Sequence, residues 1–383
     1  MRTAEVQRSG PLAGIRVLEF AGIGPGPYGA MLLADLGADV AVVQREGSRI
    51  PDTRFAHFRG RSNIVALDLK SQAGVEAALA LAERADVLIE GFRPGVMEKL
   101  GLGPEILAKR NPKLVYARMT GWGQFGPAAS EAGHDINYIS RSGALAAIGP
   151  RGGAPAIPLN LVGDLGGGSL FLVVGILSAL LEARTSGRGQ VVDAAICDGA
   201  VSLMGMIAGF AQGVGPRRWS EERGTNFGDG GRHYYNVYEC ADGKYVSVGA
   251  MEPQFYKALR EVAGLEDPRF DEQEQTGESG DDLIASTAAL FRTRPRDAWC
   301  ELAAGSDACL TPVLTMSEAS ADAHNRARGL FIEMNGIEQP APAPRFSRTP
   351  GAARSSPDRF TPSGDILTAW SDETHPLRPI AHS

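Results

Sequence analysis

The first 195 residues alternate short apolar runs with longer helical patterns, and this alternation constrains the fold more than any other feature. Apolar runs at 17–20, 40–43, 63–69, 86–90, 114–119 and 190–195 are typical of strands, and the segments 28–36, 72–84 and 169–184 are typical of helices. Strands that alternate with helices build βαβ units, which place the strands parallel in one sheet. We therefore predict an α/β fold, with a Rossmann-like large domain around a parallel sheet.

The pattern changes after residue 225. The segment 234–249 alternates polar and apolar residues around Asp242-Gly243, which predicts an antiparallel hairpin. Helical patterns at 281–291 and 297–304 follow it. We expect a smaller α+β domain here. The predicted division is 1–195 for the first part of the large domain, 196–225 for a linker, 226–325 for the small domain, and 326–383 for a return linker and a C-terminal segment that packs on the large domain.

Composition excludes several classes of partner. The net charge of −7 argues against a nucleic-acid or anionic-membrane surface, because both require clustered positive charge.

The four cysteines show no CxxC spacing, so we expect reduced thiols rather than a zinc site or a disulfide framework. The polar residues 1–10 lack the apolar core of a signal peptide. The run 170–181 contains Gly175 and is short for a bilayer, so we interpret it as a buried helix and expect a cytoplasmic protein.

The turn after the first strand matches the GxGxxG pattern of dinucleotide-binding proteins at residues 24–29. That motif offers free backbone N–H groups to a pyrophosphate, and Pro25 and Pro27 each remove one donor. Arg45 also occupies the region where an acidic residue would bind the ribose. The sequence thus disfavours dinucleotide binding and leaves Arg45 as a candidate phosphate ligand or an ordinary surface arginine.

Two neighbouring segments carry the best candidates for acid–base chemistry. His134 and Asp135 follow Gly133 at a predicted helix start, with Asp135 as the expected N-cap, and Asp164 follows an apolar strand and precedes three glycines. His134 would then lie near unpaired N–H groups that can hold an oxyanion. On these residues alone, a structural histidine and two helix caps are better explanations than catalysis.

This set suits proton abstraction next to a carbonyl. One group removes the proton, amide donors hold the enolate oxygen, and the second group returns a proton to the opposite face. Imidazole is suited to this work because its ordinary pKa lies near neutral pH. The sequence has no GxSxG nucleophile motif and no second histidine at metal-ligand spacing, which disfavours serine hydrolysis and metal catalysis.

Several longer motifs resemble a known family. They lie at residues 11–19, 33–40, 66–70, 90–95 and 120–127, and further ones at 133–138 and 160–164. The first five resemble the family III CoA-transferase superfamily over nearly the whole chain. The last two resemble its α-methylacyl-CoA racemase members.

The resemblance implies a mechanism and an assembly. His134 and Asp164 would be the acid/base pair acting through an enolate of a 2-methylacyl-CoA thioester, as in lipid metabolism. The acyl group stays open among a branched-chain fatty acid, a sterol side chain and an arylpropionyl group. Glu252 would hydrogen-bond the catalytic histidine from the partner subunit. The superfamily forms an interlocked homodimer, so the partners implied are the thioester and a second copy of the chain.

The resemblance also implies CoA contacts. These fall on Arg45, Leu67, Asp68, Leu69, Lys70, Gly91, Phe92, Arg93, Lys99, Gly133, Asp135, Ile136, Asn137, Tyr138 and Asn160. Lys99 stands where close relatives have arginine, which puts a bidentate phosphate contact in question. No metal or redox cofactor is expected, since CoA is part of the substrate. The alternative within the superfamily is CoA transfer, with Asp135 attacking the thioester to form a mixed anhydride, and outside it a CoA-binding protein without catalysis.

Overall fold

A six-stranded parallel sheet organises the chain. We analysed a computed structural model that describes residues 9–52, 54–214 and 218–371. The strands of this sheet are β1 (Arg16–Phe20), β2 (Asp39–Arg45), β3 (Arg61–Leu67), β4 (Val87–Glu90), β5 (Val115–Thr120) and β6 (Val191–Ala195). They are hydrogen-bonded in the order β3-β2-β1-β4-β5-β6, and all five pairings are parallel. This is the strand order of a Rossmann-type sheet, so the predicted parallel sheet is confirmed.

Helices connect these strands and continue beyond them. The α-helices are α1 (Pro25–Asp35), α2 (Gln72–Arg84), α3 (Val96–Lys99), α4 (Pro104–Arg110), α5 (Asp135–Arg141), α6 (Ala144–Ala147), α7 (Phe171–Ser186), α8 (Ile196–Leu203), α9 (Gly205–Ala211), α10 (Pro253–Ala263), α11 (Gly277–Phe291), α12 (Arg296–Ala303), α13 (Met316–Ala321), α14 (Ala323–Ala327) and α15 (Ser363–Ala369). A π-helix (Leu161–Leu170) runs directly into α7.

The sheet is apolar on both faces because successive side chains of a strand point to opposite sides. In β1, Val17 packs with α1 and α7, whereas its neighbour Leu18 packs on the other face with α2. Trp370, in the C-terminal segment, packs on that second face of the sheet. Its indole N–H donates to Asp39 at 3.0 Å. Residues 351–371 thus return to the large sheet.

Residues 161–186 are long and apolar enough to cross a membrane by length and composition alone. Leu172 and Ile176 are fully buried in the core beside the sheet. A central helix of a globular domain passes the same test, and the packing fits that interpretation.

The chain divides into two compact units, with residues 143–158 and 204–325 in the second. That unit contains the antiparallel strands β7 (Tyr235–Glu239), β8 (Tyr245–Gly249) and β9 (Leu310–Pro312), and the hairpin predicted at 234–249 is present. A separate hairpin joins β10 (Phe331–Met334) to β11 (Ile337–Pro340). The segment 196–225, expected to be a linker, contains α8 and α9. Residues 215–217 of it lie outside the described residues.

Two local expectations were wrong. The first helix begins at Pro25 rather than residue 28, because a proline fits the first turn of a helix, where its missing N–H has no partner to lose. Asp164 does not leave a strand; it lies in the first turn of the π-helix. The apolar residues before it resemble a strand because a short apolar run carries no clear period.

The second unit contains a histidine that is buried in its neutral form. His233 is 1 % exposed, and its Nε2 lies 2.8 Å from the hydroxyl oxygen of Tyr256. Burial lowers the pKa of His233 to about 4, and the neighbouring Arg232 adds to the shift. The ring therefore stays uncharged in the folded protein well below the pH at which the unfolded chain takes up its proton.

We predict that this histidine weakens the fold in acid. Since the folded-state pKa is below the ordinary value of 6.5, stability is lost as pH falls from about 6.5 towards 4, by roughly 2–3 kcal/mol. Denaturant unfolding at pH 7 and pH 4.5 measures the loss, and His233→Asn shows a smaller one. His324→Asn, at an exposed position, serves as the control. An unchanged acid sensitivity in His233→Asn contradicts the assignment.

Candidate active site

His134 lies at the start of α5, at the carboxyl edge of the sheet. It is the N-cap residue, with extended backbone, and its N–H donates to Asn137 Oδ1 at 3.0 Å. The expectation that Asp135 is the N-cap was wrong, since Asp135 is the first helical residue. The side chain of Asp135 accepts a different N–H, that of Asp164. The side-chain oxygen of Asn137 accepts the His134 N–H instead.

Asp135 joins the two candidate catalytic segments. Its Oδ1 accepts the backbone N–H of Asp164 at 2.6 Å, across 29 positions of the chain. A Cβ on Gly163 would lie 2.2 Å from that same oxygen, so only glycine allows the approach. The side chain of Asp135 therefore sets where the backbone of Asp164 lies.

A second bond holds the Asp164 backbone from its carbonyl side. Ser169 is fully buried, and its hydroxyl lies 3.0 Å from the Asp164 carbonyl oxygen and 2.8 Å from that of Pro25. Pro25 begins α1, whose preceding glycine, Gly24, would place a Cβ 3.3 Å from Asp164 Oδ2. The turn between β1 and α1 is thus part of the same site, and Gly24 leaves room for the carboxylate.

His134 and Asp164 line one cavity of about 520 Å³. Its other walls are the turn at 22–27, the loop at 91–93 and the side chain of Tyr138. An adjoining cavity of about 430 Å³ shares His134 and Tyr138 and extends to Asn137. The two candidate acid/base groups therefore face a space large enough for a reacting group, beside a second space that can hold more of a ligand.

The environment of Asp164 favours its protonated form. Burial raises the pKa of Asp164, and the negative charge of Asp135 raises it further. A hydrogen bond from Asn160 and the proximity of His134 oppose this shift without cancelling it. A carboxyl whose pKa is raised towards the working pH can both donate and accept a proton.

Tyr138 stabilises the backbone directly before His134. Its hydroxyl donates to the Gly133 carbonyl at 2.5 Å, directly before His134. A Cβ on Gly121 would lie 2.0 Å from its ring, so the glycine lets the 120–127 loop close over the tyrosine. Trp122 contacts the ring edge-on, with centroids 4.8 Å apart. These contacts restrict the backbone that carries His134.

The structure brings together some of the predicted CoA-contacting residues and not others. Gly91, Phe92, Arg93, Gly133 and Tyr138 line the cavity shared by His134 and Asp164. Arg45 and Leu67 are paired at the carboxyl ends of β2 and β3, outside the two cavities. Also outside their walls are Asp68, Leu69, Lys70, Lys99, Asp135, Ile136 and Asn160.

Glu252 belongs to the second unit. It is the exposed N-cap residue of α10, directly before Pro253. The predicted junction of strand and helix is therefore present. Its role towards His134 stays a prediction.

Sequence reasoning missed the charged residues buried under the site. Glu19 pairs with Arg61 at 2.9 Å, and Arg61 also donates to the Pro27 carbonyl at 2.8 Å. Glu90 pairs with Arg118 at 2.8 Å. A signal for them exists, because Glu19, Glu90 and Arg118 are charged residues directly next to apolar residues of their strands. Such charges are rarely buried without a partner.

Comparison with known proteins places these features in a family. Residues 12–359 match the model of CoA-transferase family III. The chain is 44 % identical to mouse alpha-methylacyl-CoA racemase over 348 residues, which is 91 % of this chain and 89 % of the mouse protein. It is 42 % identical to the human protein of that name over 350 residues, or 91 % and 90 % of the two chains.

A solved structure agrees with this result. The CAIB/BAIF family protein from Brucella suis superimposes with a TM-score of 0.76 at 29 % identity, covering 95 % of this chain and all of the other. The match spans both the parallel sheet and the second unit. The chain belongs to CoA-transferase family III.

Proposed function

We propose that this protein racemises 2-methylacyl-CoA thioesters at C2 by 1,1-proton transfer through an enolate. The observation that carries the proposal is that His134 and Asp164 line the same cavity. The similarity to mouse and human racemases supports this reaction class over others in the family. Such an enzyme is an isomerase.

The geometry supports a two-base mechanism. One group removes the α-proton, and the other returns a proton to the opposite face of the planar enolate. The raised pKa of Asp164 helps it to hold the proton that it must deliver. The family resemblance suggests His134 as the base for the S form and Asp164 as the base for the R form. The Asn137 N–H donates to the His134 carbonyl at 2.8 Å, and we propose that the two N–H groups before it in the first turn of α5, those of Asp135 and Ile136, hold the enolate oxygen.

The CoA moiety is proposed to lie along the carboxyl edge of the sheet. Arg93 lines the cavity, and Arg45, Lys70 and Lys99 are exposed cations that suit its phosphates. The remaining contacts inferred from the resemblance, from Leu67 to Leu69 and at Asn160, belong to the same proposal. Neither a metal nor a redox cofactor enters the reaction, because the thioester itself acidifies the α-proton.

The alternative function is CoA transfer with Asp135 as nucleophile. In this structure Asp135 is only 9 % exposed, and its Oδ1 is engaged with the Asp164 amide. A carboxylate in that position is poorly placed to attack an external thioester. This observation supports proton transfer.

The first test is α-proton exchange in heavy water with the S enantiomer of a 2-methylacyl-CoA. We expect exchange with loss of optical activity, abolished by His134→Ala. Asp135→Asn keeps an oxygen that can accept the Asp164 N–H, so it retains exchange within about tenfold. Transfer of CoA to an added free acid, without exchange and abolished by Asp135→Asn, would establish the transferase instead.

A second prediction follows from the raised pKa of Asp164. Because the folded state disfavours the ionised carboxylate, the resulting loss of stability is complete above the folded-state pKa and disappears as pH falls below it. Asp164→Asn therefore raises the melting temperature at pH 8 by about 1–3 °C, and the gain shrinks towards pH 4. Asp358→Asn, at an exposed position, is the control. A lower melting temperature for Asp164→Asn at pH 8 contradicts the assigned environment.

We also propose that the active protein is an interlocked homodimer in the cytoplasm. Large apolar side chains are exposed on α7 and on α8: Val174, Leu181 and Val201 are 60 %, 69 % and 54 % exposed. Exposed apolar side chains of this size suit burial against a partner. A second copy would cover it, and the resemblance implies that Glu252 of that copy reaches His134.

Mixed dimers test this assembly. Co-expressed His134→Ala and Glu252→Ala chains should recover about a quarter of the wild-type sites, because each heterodimer contains one intact site. Val174→Glu should yield monomers in sedimentation, whereas Ile106→Glu, at an exposed position of α4, should not. Mixed chains without recovered exchange would show that the partner does not supply Glu252.

A further inference from the structure

One arginine beneath the cavity contacts both ends of the loop that carries Arg93. Arg118 lies on β5, and its Nε donates to Glu90 Oε1 at 2.8 Å at the end of β4. Its Nη1 donates to Glu98 Oε1 at 2.8 Å on α3. The loop between Glu90 and α3 contains Gly91, Phe92 and Arg93, which line the cavity. Arg118 thus bonds both Glu90, directly before this loop, and Glu98, in the helix after it.

Glu90 extends the arrangement into the loop itself. Its second oxygen accepts the Phe92 N–H at 2.8 Å, one residue before Arg93. Glu90 is fully buried and Arg118 is 6 % exposed, while the side chain of Glu98 is 44 % exposed. Burial raises the pKa of Glu90, against the lowering effects of the Phe92 amide and Arg118. The buried Glu90 carboxylate is stabilised by two partners, the Phe92 N–H and Arg118. The residue that forms the ion pair therefore also holds the loop backbone.

A purely structural ion pair would not need this layout. Replacing a buried pair by apolar residues is often neutral for stability, so stability alone is a weak reason for its presence. Here each carboxylate lies at one end of a ligand-facing loop, and the planar guanidinium reaches both in fixed directions. Lys99, a second cation suited to a phosphate, directly follows Glu98 on α3.

We propose that Arg118 is a positioning residue for the CoA moiety: by holding Glu90 and Glu98 it places Arg93 and Lys99 where they bind the CoA phosphates. The inference rests on the proposed function only in that the ligand carries CoA. It assigns Arg118 no contact with the reacting atoms. Its loss therefore weakens ligand binding and leaves the chemical step intact.

The experiment compares Arg118→Lys and Glu98→Gln by calorimetry with free CoA and by steady-state kinetics. We expect the Kd for CoA and the KM for the thioester to rise about tenfold in Arg118→Lys and about threefold in Glu98→Gln, with kcat within about twofold. Glu83→Gln is the matched control, because Glu83 is an exposed partner of Arg110 away from the loop. A fall in kcat at unchanged KM overturns the proposal.

A double-mutant cycle separates positioning from a general structural effect. With Arg93→Ala already in place, Arg118→Lys should raise the Kd for CoA by less than about threefold, since the residue that it positions is gone. Full additivity of the two effects would overturn the proposal. If Arg118→Lys does not fold, Glu98→Gln replaces it in the same cycle. Calorimetry with CoA needs no turnover, so a wild-type protein that binds CoA without exchanging the α-proton refutes the racemase and leaves this test intact.

Discussion

The hydrogen bond from the Asp164 amide to the Asp135 carboxylate is the contact on which the site depends. At 2.6 Å it connects the start of α5 to the start of the π-helix. It brings a histidine next to Asp135 and a carboxylate at Asp164 to the wall of one cavity. Burial raises the pKa of Asp164, and the negative charge that this contact places nearby raises it further. The same interaction thus fixes the position of the Asp164 backbone and adds to the proton affinity of its side chain.

Buried ion pairs hold the loops around this contact. Arg61 and Glu19 are 3 % and 2 % exposed, and Arg61 fixes the Pro27 carbonyl in the first turn of α1. Arg118 and Glu90 do the same for the loop at 91–93. Burying charges costs free energy that the pairs only partly recover. Their structural effect is that the first turn of α1 and the loop at 91–93 are both bonded to buried side chains at the carboxyl edge of the sheet.

The sheet could be predicted because its strands are nearly continuous apolar runs separated by helical patterns. β4 is buried at every position, which is why its sequence shows no alternation. The π-helix at 161–170 could not be predicted, since its glycines and short apolar run fit a strand and loop equally well. The cap at His134 was assigned to the wrong residue, because local pattern does not show that Asp135 bonds a residue 29 positions away. Long-range contacts of this kind exist only once the chain has folded.

The central claim proposed here is that two different bases act on opposite faces of one substrate carbon, and it is supported by the cavity that His134 and Asp164 share. The most direct measurement is α-proton exchange in heavy water by Asp164→Asn, started separately from each pure enantiomer of a 2-methylacyl-CoA. The two-base account predicts that the S form still exchanges through His134 without inversion and that the R form does not exchange. Equal exchange of both enantiomers by this variant would contradict it, because a single base would then serve both faces.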